Sequence, residues 1–195
     1  MRTLIALLAM ATLMMAASPF KNGYEVGDTA SDFKLKNVDG KMVSLADYKD
    51  ANGYIVIFDC NTCPYSKAYN ERIQALNETY APKGFPVIAI NANDGSGDRF
   101  EDMVRVAKNK KLKYPYVFDD TQKVAKAYGA TNTPHVYVLT KSLKVAYIGA
   151  IDDNARNADA ATKHYVADAV EALLANTSVP VTKTKAIGCG IKWKR

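Results

Sequence analysis

YIVIFDCNTCPYS, Tyr54–Ser66, runs an unbroken apolar, β-prone stretch into two cysteines two residues apart. The run is short and rich in β-branched and aromatic residues, which suits a strand covered on both faces. Beyond it Tyr65, Tyr69, Arg72, Ile73, Leu76 and Tyr80 recur at helical spacing and predict a helix of about four turns with one core-facing stripe. Pro64 falls in its first turn, where no backbone donor is missed. Cys60 thus stands between the end of a strand and the start of a helix, with Cys63 about one turn on. A thiol reacts as its thiolate, and a helix N-terminus favours that charge. The reading makes Cys60 the exposed nucleophile and Cys63 the resolving thiol of an exchange couple.

Working outward, "FKLKNVDGKMVSL" (Phe33–Leu45) alternates around Asp39-Gly40 as a hairpin does. "PVIAI" (Pro86–Ile90) is a second buried strand, and "NANDGSGD" (Asn91–Asp98) a turn-rich loop. Phe100, Met103, Val104 and Ala107 mark another helix, and "YPYVF" (Tyr114–Phe118) a short strand. A short helix follows over Thr121–Gly129, then a strand entered through Pro134, then "KVAYIGA" (Lys144–Ala150) as its hairpin partner. Tyr165, Val166, Ala169, Val170, Leu173 and Leu174 stripe a last helix. The order predicts an α/β fold, a central mixed sheet flanked by helices behind an N-terminal β-hairpin.

The chain has 195 residues, 48% hydrophobic and 24% charged, within the range of one globular domain. Its net charge of +6 is scattered apart from "KNKK" at residues 108–111 and the last few residues. No basic stripe with a reading motif is present, so nucleic acid is not an expected partner, and "KNKK" reads as a solvated face. Residues 1–17 pair one Arg with an apolar run from Leu4 to Ala17. That run is shorter than the ~20 residues that span a bilayer but fits a signal-peptide core. The expected organisation is a signal peptide over 1–17, one domain over 18–175 and a tail over 176–195. The mature chain is then exported and periplasmic, not stably inserted in a membrane, in a compartment where disulfides persist.

Cys60-Asn61-Thr62-Cys63, the stretch Val26–Lys49, and Thr133-Pro134 about 70 residues on together resemble the thioredoxin-like superfamily, on the branch shared by TlpA-type oxidoreductases and AhpC/TSA peroxiredoxins. "GAIDD" (Gly149–Asp153) and "GCGIKWK" (Gly188–Lys194) resemble a bacterial redoxin subgroup. The resemblance implies a thioredoxin-like fold and a cis Pro134 that sets the Thr133 backbone against an incoming peptide as an added strand. It implies protein thiols and disulfides as partners, a membrane-bound electron donor among them, with Asn61 and Thr62 tuning the couple. No organic cofactor and no metal is expected.

Departures from that pattern bear on the chemistry. Asp59 stands where the family often has Trp, and an adjacent carboxylate opposes a Cys60 thiolate. Tyr54 stands near the position of a buried Asp; Asp94 in the polar loop is then either the proton acceptor of Cys63 or an ordinary turn residue. Peroxiredoxins carry a Thr three residues before the reactive Cys and a Pro four before that. Counting back gives Ile57 and Gly53 from Cys60, or Cys60 and Val56 from Cys63, so a dedicated peroxidase is disfavoured. A copper chaperone remains an alternative, since His135 follows Pro134 and thiolates suit Cu(I). So does a peroxiredoxin-like antioxidant protein. Structural zinc lacks a second ligand pair, and a CxxC staple gains little from so small a loop. Cys189 is either a second resolving thiol or a small buried hydrophobe.

Overall fold

The structure, a computed structural model, describes residues 23–194. The predicted signal peptide lies outside the described residues. Nine strands and four helices are named in chain order. The hairpin β1 (Leu35–Asn37) and β2 (Met42–Val43) leads into β3 (Gly53–Phe58) and α1 (Pro64–Tyr80). Then come β4 (Val87–Asn91), α2 (Phe100–Lys110), β5 (Tyr116–Phe118) and α3 (Lys123–Tyr128). Last are β6 (Asn132–Thr133), β7 (His135–Thr140), β8 (Val145–Gly149), α4 (Tyr165–Leu174) and β9 (Cys189–Gly190). The main sheet runs β2-β1-β5-β4-β3-β7-β8. β3 is parallel to β4 and β4 to β5, while the hairpin, β7 and β8 join antiparallel.

The central strands are buried throughout because both faces are covered. Side chains alternate between the two sides, as period-2 geometry requires. Ile55, Ile57, Val87 and Ala89 face a core built with Tyr69, Ile73 and Leu76 of α1, Met103 of α2 and Val166 and Val170 of α4. Tyr54, Val56, Phe58, Ile88 and Ile90 face the opposite core, with Ala125 and Tyr128 of α3, Phe33 and Leu45 of the N-terminal segment, and Ile191. Phe58, Tyr128 and Tyr137 meet edge to face with centroids 5.3–5.8 Å apart. Arg72, on the core-facing stripe of α1, is matched by buried Asp152, which also accepts from the Tyr69 hydroxyl at 2.8 Å. Val104 is the exception to the α2 stripe: it is 38% exposed, because Met103 and Ala107 already fill that face. The basic run also departs from expectation, with Lys110 half-buried while Lys108 and Lys111 stay in solvent.

The segment after α4 is packed, not loose. It runs beside β8, where Ile148 bonds Thr182 and Thr184 through the backbone and Thr184 Oγ1 accepts from Ala150 N at 2.9 Å. It then crosses to form β9, antiparallel to β6 with Thr133 opposite Cys189. Beyond β9 the Lys192 carbonyl accepts from the Asp94 and Gln122 amides, and Lys192 N donates to Asn93 Oδ1. No helix among the described residues is long and apolar enough to cross a membrane.

Candidate active site

Pro64 is the first residue of α1, so its N-cap is Cys63. This corrects the sequence reading, which set Cys60 at the helix N-terminus: proline fixes the first turn after the second cysteine, and the helix field acts there. Cys60 lies three residues earlier, between the end of β3 and the bend at Asn61 and Thr62. Neither thiol is exposed; Cys60 retains 4% of its surface and Cys63 2%. The expectation of an open Cys60 fails because Thr133 and the segment carrying Cys189 cover the pair.

Thr133 touches both sulfurs. Its hydroxyl lies 3.1 Å from Cys60 Sγ. Its carbonyl oxygen lies 3.2 Å from Cys63 Sγ and accepts from that thiol when protonated. The Thr133–Pro134 bond is cis, as the sequence pattern implied. The edge of Thr133 expected to receive a peptide is already paired with β9 of the same chain. Gly188 makes this approach possible: a Cβ there would sit 2.1 Å from the Thr133 oxygen. Cys189 follows and donates its backbone N–H to Cys63 Sγ at 3.4 Å.

Burial pushes the Cys60 thiol up; the Thr133 hydroxyl opposes this, and the charges of Asp59 and Asp98 add to it. Burial acts on Cys63 too, but hydrogen bonds from the Cys189 thiol and from the backbone N–H groups of Ser66, Cys189 and Tyr65 outweigh it, and Cys63 lies below the ordinary thiol value. Cys189 is pushed up to about 11 by burial and by its bond to Cys63, with the charges of Cys63 and Cys60 adding. Of the three thiols, Cys63 is the one whose surroundings favour the thiolate.

The carboxylate that shapes the loop is one the sequence reading passed over. Asp98 is buried and accepts from Asn61 N at 2.7 Å and the Thr62 hydroxyl at 2.6 Å. It also accepts from the side-chain amides of Asn91 and Asn93. Tyr116 donates its hydroxyl to Asn61 Oδ1 at 3.0 Å. The two residues between the cysteines are thus tied to β4, β5 and the loop after β4. Asp94, the acceptor suggested by sequence, is exposed and meets the C-terminal segment through its backbone. The carboxyl next to the couple is Asp59, whose burial raises it to about 6. Ser66 hydrogen-bonds that carboxyl and holds its hydroxyl 3.9 Å from Cys60 Sγ. Asp59 Oδ1 has no partner, and Lys110 is the cation that acts on it.

His135 gives Nδ1 to the Thr131 N–H at 3.3 Å and packs its ring on Tyr137. It lines a groove with Tyr24, Thr131, Lys183 and Ala186. Among the described residues no group of three or more His, Cys, Asp or Glu is arranged to hold a metal ion.

The sheet order, the cis proline and the dithiol at the start of α1 define a thioredoxin-like protein. The AhpC/TSA family model matches residues 26–148, well over half of the chain, and the chain belongs to that family. Its sequence is 29% identical over 154 residues to the thiol-disulfide oxidoreductase ResA of Geobacillus thermodenitrificans, covering 76% of this chain and 84% of that one. An uncharacterized conserved protein from Geobacillus kaustophilus superposes with a TM-score of 0.82 at 39% identity, over 89% of this chain and 94% of that one. The thioredoxin domain of a thiol-disulfide oxidoreductase from Bacteroides vulgatus shares the fold, with a TM-score of 0.56 at 19% identity over 65% of this chain and 89% of that one.

Proposed function

We propose that the protein is an exported thiol–disulfide oxidoreductase that works through a Cys60–Cys63 couple on protein thiols and disulfides. The observation that carries the reading is the convergence of both sulfurs on Thr133, with Cys63 capping α1. The kinship with ResA supports the reaction class. Export rests on the N-terminal sequence pattern.

The hydrogen bonds from Cys189 and from the first turn of α1 favour the Cys63 thiolate over that of Cys60, so our reading takes Cys63 as the attacking sulfur, the opposite of the order expected from sequence. Cys63 thiolate attacks a partner disulfide; a Cys63–partner bond forms and the partner's other sulfur leaves as thiolate. Cys60 then passes its proton through Ser66 to Asp59 and attacks Cys63 Sγ. The Cys60–Cys63 bond forms, the partner's second sulfur leaves, and two electrons have moved from the chain to the partner. Run backwards, the same steps oxidise a dithiol.

The test is a redox titration of the mature chain in glutathione buffers, with free thiols trapped by alkylation and mapped by mass spectrometry. A reversible Cys60–Cys63 couple between about −120 and −270 mV is expected. A pair still oxidised below about −300 mV would be a structural staple and would overturn the proposal.

A further inference from the structure

Cys189 lies 126 residues beyond Cys63, yet its backbone N–H donates to Cys63 Sγ at 3.4 Å, and its thiol favours charge on the same sulfur. It comes in on β9, opposite Thr133, the place where a partner polypeptide would be expected to add a strand. The segment is pinned on both sides. Thr184 holds it to β8; Asn132 Nδ2 donates to the Gly188 carbonyl; Ile191 N donates to the Thr131 carbonyl; Asn93 and Gln122 bind Lys192. Gln122 serves this end of the segment from a left-handed backbone, φ 59°, that a glutamine seldom adopts. Gly188 permits the close approach. The result is a fixed third sulfur beside the couple, and the three differ in access: Cys60 and Cys63 are buried, whereas Cys189 is partly exposed.

We infer that Cys189 is a third redox-active cysteine, an internal stand-in for a partner's sulfur, so that Cys63 exchanges its disulfide between Cys60 and Cys189 and the Cys63–Cys189 form trades with protein thiols outside. The inference rests on the exchange chemistry proposed above. In the internal step Cys189 thiolate attacks Cys63 Sγ. The Cys63–Cys189 bond forms as the Cys60–Cys63 bond breaks, and Cys60 leaves and takes up the proton that Cys189 gave up. No electrons are gained or lost. In the external step a thiolate of a protein dithiol attacks Cys189 Sγ, and Cys63 leaves. Cys63 is the better leaving group because helix N–H groups stabilise its charge, and a leaving thiol of lower pKa departs faster. The partner's second thiolate then attacks the partner sulfur of the mixed disulfide. A partner disulfide forms, Cys189 leaves as thiolate and is protonated, and two electrons have passed from partner to chain.

The experiment uses the mature chain and its Cys60→Ser, Cys63→Ser and Cys189→Ser variants, oxidised with excess glutathione disulfide, acid-quenched, alkylated and mapped without reduction. The expected result is a Cys63–Cys189 bond in most Cys60→Ser molecules, a Cys60–Cys63 bond in Cys189→Ser, and no internal bond in Cys63→Ser. Cys60→Ala gives the same readout should the serine unfold the chain. Transfer of the disulfide to a reduced dithiol peptide is expected to slow by about tenfold or more in Cys189→Ser. If Cys60→Ser yields only Cys63 bound to glutathione with Cys189 free, while the unmodified chain closes Cys60–Cys63, the inference is overturned and the proposed function stands. If the unmodified chain fails to close Cys60–Cys63 while Cys60→Ser closes Cys63–Cys189, the proposed couple falls and the contact inferred here survives.

Discussion

Asp59 and His135 are buried titratable residues with opposite effects on stability. Burial raises the Asp59 carboxyl to about 6 from 3.8. The folded chain then holds that proton more tightly than the unfolded one, so the contribution is full below about pH 4 and is lost as pH rises through 6. Burial, with Lys183 nearby, lowers His135 to about 4 from 6.5. Here the unfolded chain binds the proton more tightly, and stability is lost as pH falls from 6.5 towards 4. Each shift is worth about 3 kcal/mol at a pKa unit per 1.4 kcal/mol, so the two largely cancel between pH 4 and 6.5. Asp59→Asn removes one side. Its stability in urea titrations is expected to fall by about 3 kcal/mol more than the parent's on acidification from pH 6.5 to 4. At pH 7.5 the same variant is expected to be the more stable of the two, because no carboxylate charge is then held away from water. Equal acid slopes in the two proteins would show that Asp59 keeps its ordinary titration. The sequence placed Asp59 beside Cys60 but not inside the protein, since adjacency along the chain says nothing about which way a residue at the end of a strand turns. Asp98 was missed for a related reason: in a polar, glycine-containing loop a carboxylate has the look of a turn residue, and only the folded loop brings it onto Asn61 and Thr62.

Among the elements, α1 is held at both the site and the core. Cys63 caps its start, and about two and a half turns on Arg72 reaches Asp152 and the carbonyls of Asn154 and Ala155 in the loop after β8. Asp152→Ala leaves the Arg72 guanidinium part-buried without its carboxylate and the Tyr69 hydroxyl without its acceptor. A loss of about 3 kcal/mol is expected, read as a lower urea midpoint at unchanged slope. A loss under about 0.5 kcal/mol would place the pair with ordinary surface ion pairs. The strands and helices themselves were legible in the sequence, because continuous apolar runs and helical stripes are local signals. Tyr69, Ile73, Leu76 and Tyr80 are buried as their spacing required. The start of α1 was legible too, in Pro64, but its consequence for which cysteine caps the helix was read one turn early. β9 was not legible: two residues, a cysteine and a glycine, carry no periodicity, and their pairing with β6 depends on contacts far along the chain.

Across the whole molecule, the two cores are sealed at the site by the segment that follows α4. Ile191 belongs to one core, and Lys192 and Lys194 are bound by Asn93 and Gln122. Gly188→Val places a branched side chain where a Cβ alone would meet the Thr133 carbonyl. The segment is expected to lift, and Cys60 and Cys63 to react with a small alkylating agent about tenfold faster or more, with α-helical circular dichroism unchanged. Unchanged thiol reactivity would show that the cover does not depend on that close approach.

The antiparallel pairing of Thr133 with Cys189 also sets terms for any visitor that needs the same strand edge. Such a visitor competes with a segment tethered to the protein itself, and its apparent affinity is the intrinsic one multiplied by the fraction of time the edge stands open. Were the edge free ~1% of the time, a peptide of micromolar intrinsic affinity would bind at about 0.1 mM. Loose, brief encounters would suit the exchange proposed above, which must release each partner, and a sulfur presented on the covering strand would let that exchange begin before the strand has moved.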